Sequence, residues 1–192
     1  MRFAAMGSIC GAMLATLASS AAMGAPPADL PALFGSRVQP AAGFAAPAAT
    51  GDLDGDGIPD QIYLVTIRPA SAHATFAPGV SVVGTVFGQV PLGSHGEKLA
   101  LAVVQRNGAV KTILTGRVGA GDDEDVFATP IWSSRPAPIS LVKRGSKAFA
   151  RFQRQDRAIR HDVLAVGTEA GIDMALYWNA GKFALLRPNE EP

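Results

Sequence analysis

Cysteine is almost absent from this 192-residue chain, and charged side chains are sparse. A single cysteine excludes a disulfide framework and a zinc site built from cysteines. Charged residues make up 17% of the chain, with 17 Lys and Arg against 16 Asp and Glu. This balance excludes nucleic-acid binding through bulk positive charge, and it excludes an acidic disordered chain. The 21 glycines and 14 prolines argue against a helix bundle and favour a loop-rich β protein.

The first 24 residues have the pattern of a secretory signal peptide. Arg2 provides a short positive start, and residues 3–18 carry no charge and are mostly apolar. This run suits a signal core but is short for a stable membrane span. Small residues follow it and allow cleavage before Ala25 or, as an alternative, directly after Ala22.

Cys10 offers another interpretation of the same segment, as the acylated cysteine of a lipoprotein. Ile9 opposes it, because a lipobox needs a small residue directly before the cysteine. An uncleaved anchor is a further alternative. We predict an exported protein, periplasmic or extracellular, that loses residues 1–24 and then has no membrane span. Cleavage would also remove the only cysteine and Arg2, so that acidic and basic residues balance.

Residues 25–50 are rich in Ala and Pro and predict a loose N-terminal arm. Five prolines exclude a continuous helix or a central strand here. Leu33 and Phe34 are the side chains expected to lay part of this arm on the domain. We predict that the folded domain covers residues 51–192.

Short apolar runs separated by turn signals predict a mainly β domain. Asn107-Gly108 and Asn179-Ala180-Gly181 predict two antiparallel hairpins, and residues 61–67 are apolar on both faces, as in a central strand. The expected fold is an antiparallel sheet or sandwich, with one short helix as an option, and not a complete propeller. The strand candidates are residues 61–67, 80–90, 99–105, 109–114, 139–142, 148–153, 162–166, 173–178 and 182–186.

The basic segment 143–160 leaves two structures open. Arginines recur every three residues from Arg151 to Arg160, which fits a helix over residues 147–160, whereas residues 148–153 also fit a strand. As for its function, the segment is either a solvated face or a contact for an anionic surface.

The most informative stretch holds four aspartates between Thr50 and residue 60. Four carboxylates this close repel one another unless a cation lies between them. Ca²⁺ accepts six to eight oxygen ligands in loosely fixed geometry, and Gly55 and Gly57 allow the coiled backbone such a loop needs. We predict a calcium site whose ligands are the side chains of Asp52, Asp54, Asp56 and Asp60 and the backbone carbonyl of Ile58.

The spacing resembles an EF-hand at first and then departs from it. An EF-hand has a bidentate Glu at its twelfth position, which here is Tyr63, inside an apolar run. The stretch GDLDGDGIPDQIYLV instead resembles the calcium loop of FG-GAP and VCBS-type repeats, in which the aspartates run directly into a strand. These repeats occur in integrin-like propellers and in exported bacterial proteins. The resemblance implies the same five ligands and covers these fifteen residues.

We expect a non-catalytic binding or interaction module in which Ca²⁺ is a structural metal. Its expected partner is a cell-envelope polysaccharide or a protein, and not a nucleic acid. The alternative is a small periplasmic hydrolase or inhibitor whose active surface lies in the loops 68–96 and 116–136. His73, His95 and His161 are available for catalysis, but no known catalytic motif surrounds them.

Overall fold

A computed structural model of the chain describes residues 29–69, 71, 73–84, 98–115, 138–167 and 173–186. Among these residues the chain forms two helices and ten strands in two sheets. The helices are α1 (Leu30–Phe34) and α2 (Lys147–Gln155); the strands are β1 (Val38–Pro40), β2 (Ala49–Gly51), β3 (Asp60–Ile67), β4 (Val80–Gly84), β5 (Lys98–Gln105), β6 (Val110–Thr115), β7 (Ile139–Val142), β8 (Val163–Val166), β9 (Met174–Asn179) and β10 (Lys182–Leu186).

The first sheet is built around β3, the strand that follows the aspartates. One edge of β3 pairs with β5, and its other edge pairs with β1 near its end and with β2 at its start, all antiparallel. β6 pairs antiparallel with β5, and β4 adds a parallel edge to β6. Most of β3 is buried on both faces, which confirms the prediction of a central strand from its apolar sequence.

The second sheet has the order β10-β9-β8-β7, with every pair antiparallel. It packs face to face on the first sheet. The core between them includes Ile62, Leu64 and Leu101 from the first sheet, packed with Leu164 and Leu176 from the second. The mainly β, antiparallel sandwich expected from the sequence is therefore confirmed, and the described residues form neither a closed barrel nor a propeller.

A helix covers the outer face of each sheet. Leu30 and Phe34 of α1 lie on the first sheet beside Tyr63 and Val65. The outer face of the second sheet is covered by α2 through a separate apolar cluster. The result is a four-layer arrangement of helix, sheet, sheet and helix. No helix in the described part of the chain is long and apolar enough to span a membrane.

The first part of the segment 147–160 forms the helix α2, as one of the two interpretations predicted. The alternative prediction, a strand at 148–153, is wrong. The Ser146 hydroxyl caps α2 by accepting a hydrogen bond from the Phe149 N–H (3.1 Å). Phe149 and Phe152, three residues apart, are buried against the sheet, while Arg151 and Arg154 are exposed. This spacing matches a helix period and leaves the arginines in water.

The segment expected to be a loose arm contributes to the first sheet. Asp29 caps α1, with its carboxylate accepting from the Ala32 N–H (3.1 Å), and Pro31 lies in the first turn, where its missing N–H costs nothing. Pro40 ends β1, a short strand at the sheet edge. The prolines thus limit the length of each element without preventing packing. The predicted signal peptide, residues 1–24, lies outside the described residues.

Candidate metal centre

The aspartate-rich stretch is the connection of a β-hairpin between β2 and β3. Gly51 pairs with Asp60 in register, so residues 52–59 form the loop. Asp52 directly follows β2 and Asp60 begins β3. The antiparallel pairing therefore brings the two ends of the motif together, and the intervening residues must coil above them.

Hydrogen bonds from the loop's backbone to its own carboxylates stabilise this coil. The two oxygens of Asp52 accept from the N–H groups of Gly55 (2.8 Å) and Gly57 (3.1 Å). Both glycines have positive φ, 80° and 82°, which residues with a Cβ rarely adopt. Asp54 accepts from the Asp56 N–H (3.2 Å). Carboxylates that accept from the backbone in this way are already oriented within the loop before any ligand binds.

Three of the predicted ligands converge. Asp52, Asp54 and Asp60 each offer a carboxylate oxygen, and these oxygens all lie within 4.8 Å of one another. Asp56 lies outside this group, and its Oδ1 accepts from the Ile58 N–H (2.8 Å). Three converging carboxylates form a cluster that could hold a metal ion. Ligation by Asp56 and by the Ile58 carbonyl stays a prediction.

Asp60 is the most unusual member of the cluster, because it is completely buried. Its Oδ2 accepts a hydrogen bond from the Leu53 N–H (2.8 Å), but its Oδ1 has no partner. The pKa of Asp60 is raised to about 6: burial is the largest cause, the nearby charges of Asp54 and Asp56 add to it, and the hydrogen bond from Leu53 acts against them. A buried anionic oxygen without a partner is costly unless a cation compensates it.

Two neighbours of the cluster come from the end of β5 and the turn that follows it, and neither was found from the sequence. Gln105 is buried and lies opposite Asp60, one step beyond the pairing of Gln61 with Val104. Its amide is near enough to lower the pKa of Asp60, although neither amide atom reaches the geometry of a hydrogen bond. A glutamine at the end of an apolar run carries no sequence signal for a site, since only strand register places it there.

Arg106 is the second neighbour and supplies positive charge. Its Nε donates to Asp54 Oδ2 (3.1 Å) and lies 3.7 Å from Asp56 Oδ2. The Asp54 side chain is only 1% exposed, whereas that of Arg106 is 54% exposed. Its backbone has a φ of 51°, in a turn that continues through Asn107 and Gly108, also with positive φ. This turn directs the guanidinium towards the loop, where its positive charge partly offsets the negative charge of the aspartates.

The chain matches no protein-family model, no curated protein and no solved structure.

The loop is also fastened to the second sheet. The carboxylate of Asp162, just before β8, accepts from the Asp52 N–H (3.2 Å), the Arg144 N–H (2.8 Å) and the Lys143 ammonium (3.0 Å). Burial alone would raise the pKa of Asp162, but these donors together lower it. The imidazole of His161 lies against Gly55, where an added Cβ would overlap the ring. The loop that carries the cluster is thus bonded to both sheets.

The catalytic alternative rests on residues that the structure describes only in part. Most of the loops 68–96 and 116–136 lies outside the described residues, and so does His95. His73 is exposed, and its backbone carbonyl accepts from the Ser36 hydroxyl (3.1 Å). His161 packs on the aspartate-rich loop. Within the described part of the chain, the aspartate cluster is the best-defined chemical site, and a hard cation is the ligand that suits its oxygens.

Proposed function

We propose that this protein is an exported, non-catalytic binding module in which Ca²⁺ at Asp52, Asp54, Asp56, Asp60 and the Ile58 carbonyl is a structural metal. The observation that carries the proposal is the buried Asp60, whose Oδ1 lacks a partner while carboxylates of Asp52 and Asp54 lie beside it. A divalent cation could be bound by all three carboxylates at once and would offset two of their three negative charges.

Calcium is the ion that the ligand chemistry favours. The donors are hard oxygens on a loop with two glycines, and Ca²⁺ tolerates the variable geometry that such a loop offers. Mg²⁺ demands a near-ideal octahedron and releases its water reluctantly. The resemblance of the loop to FG-GAP and VCBS-type calcium loops supports the same ion.

A structural role for the metal follows from the position of the loop. The loop joins β2 to the central strand β3. The Asp52 N–H donates a hydrogen bond to the carboxylate of Asp162, which directly precedes β8 of the second sheet. An ion that binds this loop only in the native state stabilises the contact between the sheets. The predicted signal peptide supports export to a compartment in which even a weak calcium site would be filled.

The test is calorimetric titration of the purified, metal-free protein with Ca²⁺ and, separately, with Mg²⁺. We expect one Ca²⁺ per chain and weaker binding of Mg²⁺. Asp54→Asn and Asp60→Asn should each weaken Ca²⁺ binding by at least tenfold, whereas Asp173→Asn, an exposed carboxylate outside the cluster, should leave it unchanged. Absence of Ca²⁺ binding, or binding that the two cluster variants do not weaken, would contradict the site.

A melting experiment tests the structural role separately. Ca²⁺ at a hundred times its dissociation constant should stabilise the fold by about 2.7 kcal/mol, and EDTA should remove this gain. A melting temperature that is the same with calcium and with EDTA, in a protein that binds calcium by calorimetry, would retain the site and refute its structural role.

A further inference from the structure

A cavity lies on the far side of the second sheet from the metal loop, between that sheet and α2. It has a volume of about 600 Å³, within the range of about 300–1,000 Å³ that small-molecule sites occupy. Its floor comes from β7 and β8, where Ser140 pairs with Ala165 and both residues line the space. The helix covers one part of this sheet face through Phe149 and Phe152 and leaves this part open as a pocket.

The lining divides into an apolar interior and a cationic rim. Ala165 and Phe152 are buried, and Val142 is half-buried, so the inner wall is hydrocarbon. Lys147 and Arg151 line the same cavity from exposed positions on α2. Binding of an apolar group in such an interior is favourable, because it removes apolar surface from water. The cationic rim then determines which polar group the ligand carries at its exposed end.

The cations share one side of the helix. Lys147, Arg151 and Arg154 follow one another at spacings of four and three, which places them on one face of α2. None of these three cations forms an ion pair within the described residues, whereas Lys143 and Arg106 do. Asp173 is the one acid among the described lining residues, so their net charge is positive. Unpaired guanidinium groups beside an apolar pocket are suited to a carboxylate or phosphate.

We propose that this cavity binds a single-chain amphiphile, with its hydrocarbon on Val142, Phe152 and Ala165 and its anionic head, a carboxylate or a phosphate, on Arg151 and Arg154. Charge complementarity and the apolar floor select this occupant together. A free inorganic anion would leave the interior uncovered, and a neutral amphiphile would leave the arginines without a partner. The site is separate from the aspartate cluster and does not depend on calcium.

The experiment is titration of the purified protein with dodecanoate and with dodecyl phosphate, both below their micelle-forming concentrations. Dodecyl maltoside and inorganic phosphate are the probes for hydrocarbon alone and for charge alone. We expect saturable binding of one dodecyl anion per chain and at least tenfold weaker binding of both control probes. Preference between the carboxylate and the phosphate then identifies the head group.

Matched variants locate the site. Arg151→Gln combined with Arg154→Gln should weaken binding of the better dodecyl anion by at least tenfold. Arg157→Gln combined with Arg160→Gln removes two exposed arginines of the same segment that do not line the cavity and should change binding less than twofold. Ala148→Trp, at an exposed position of the lining, should block the pocket without removing charge. Melting curves of all variants verify that each is folded.

Three results would overturn the proposal. One is the absence of saturable binding of either dodecyl anion to the wild-type protein. Another is equal weakening by the two arginine pairs, which would indicate attraction to a general basic surface. The third is equally strong binding of dodecyl maltoside or of an anionic polysaccharide such as dextran sulfate, because neither combines one charged head with one hydrocarbon chain.

Discussion

Asp52 and Asp162, 110 residues apart in the chain, hold each other by two hydrogen bonds. The Asp52 N–H donates to Asp162 Oδ2 (3.2 Å), and the Asp162 N–H donates to the Asp52 carbonyl oxygen (3.2 Å). This pair joins the candidate metal loop of the first sheet to the start of β8 in the second sheet. The same carboxylate also holds Arg144 and Lys143 just before α2, so a single side chain ties three segments together.

Asp162→Asn should destabilise the protein, because one carboxylate oxygen becomes an amide donor facing other donors. The folded-state pKa of Asp162 is lowered from 3.8, so its ionised form contributes stability above that pH and loses it as the pH falls through the folded-state value. We expect a loss of about 1–3 kcal/mol at pH 7 by urea unfolding. The loss should shrink towards pH 3. Asp173→Asn is the control, and an Asp162→Asn variant as stable as that control at pH 7 would contradict the role of Asp162.

Asp60→Asn should have opposite effects on stability with and without calcium. The folded-state pKa of Asp60 is raised from 3.8 to about 6, so the native state holds its proton longer than the unfolded state. The metal-free protein therefore loses stability as the pH rises from 3.8 to about 6. Above this range, the whole free-energy cost of ionising the buried Asp60 lowers the stability of the fold.

Asn cannot ionise and still accepts from the Leu53 N–H. In EDTA at pH 8 we expect Asp60→Asn to be more stable than wild type, by on the order of 2 kcal/mol, and in saturating calcium less stable. Urea unfolding at a series of pH values in both conditions measures this. A variant less stable than wild type in EDTA at pH 8 would show that ionised Asp60 is not under strain in the metal-free fold.

Arg106→Gln should tighten calcium binding. The guanidinium lies on Asp54 and Asp56 and neutralises charge that would otherwise attract the ion. An exposed charge pair is worth up to about 1 kcal/mol, so we expect affinity to rise about two- to fivefold at low salt and less at high salt. Calorimetry measures the affinity, with Arg157→Gln as the control. Weaker binding in the variant would instead assign Arg106 to orienting the loop.

Neither tyrosine of the chain should ionise near pH 10 while the protein is folded. Burial raises the pKa of Tyr63, and burial together with the hydrogen bond to Asp156 raises that of Tyr177 to about 12. Because the unfolded state loses these protons first, stability should fall as the pH rises above 10. Ultraviolet titration follows phenolate formation, and Tyr177→Phe assigns the signal. A tyrosine that titrates near pH 10 before unfolding would contradict this burial.

Local patterns were enough to predict the two hairpins and most of the strands, but not β1 and β2, which lie in the segment expected to be a loose arm. The hairpin around Asn107-Gly108 forms between β5 and β6, and that around Asn179-Ala180-Gly181 forms between β9 and β10, because these residues accept the backbone angles of a tight turn. The segment 147–160 could not be assigned, since its aromatic and basic residues fit two periods. Packing of Phe149 and Phe152 on the second sheet selects the helix.

The residues of the candidate site also differ in whether the sequence alone could identify them. The aspartates could be found from their spacing, because the ligands of a loop that coils around an ion are close in sequence. Gln105 and Arg106 could not, because they reach the loop through the register of β3 with β5 and through a positive-φ turn. Nor could Asp162, which acts through contacts between the two sheets.

The scarcity of cysteine and of charge already excluded several classes of protein, and the sequence alone indicated a β fold with one acidic loop. These properties depend on composition and on contacts between near neighbours in the chain. Only the tertiary structure decided that Asp60 is buried, that Arg106 faces the loop and that cationic side chains of α2 border an apolar cavity. Burial and electrostatic pairing arise between segments far apart in the chain, and their positions follow from strand register and from how the layers pack.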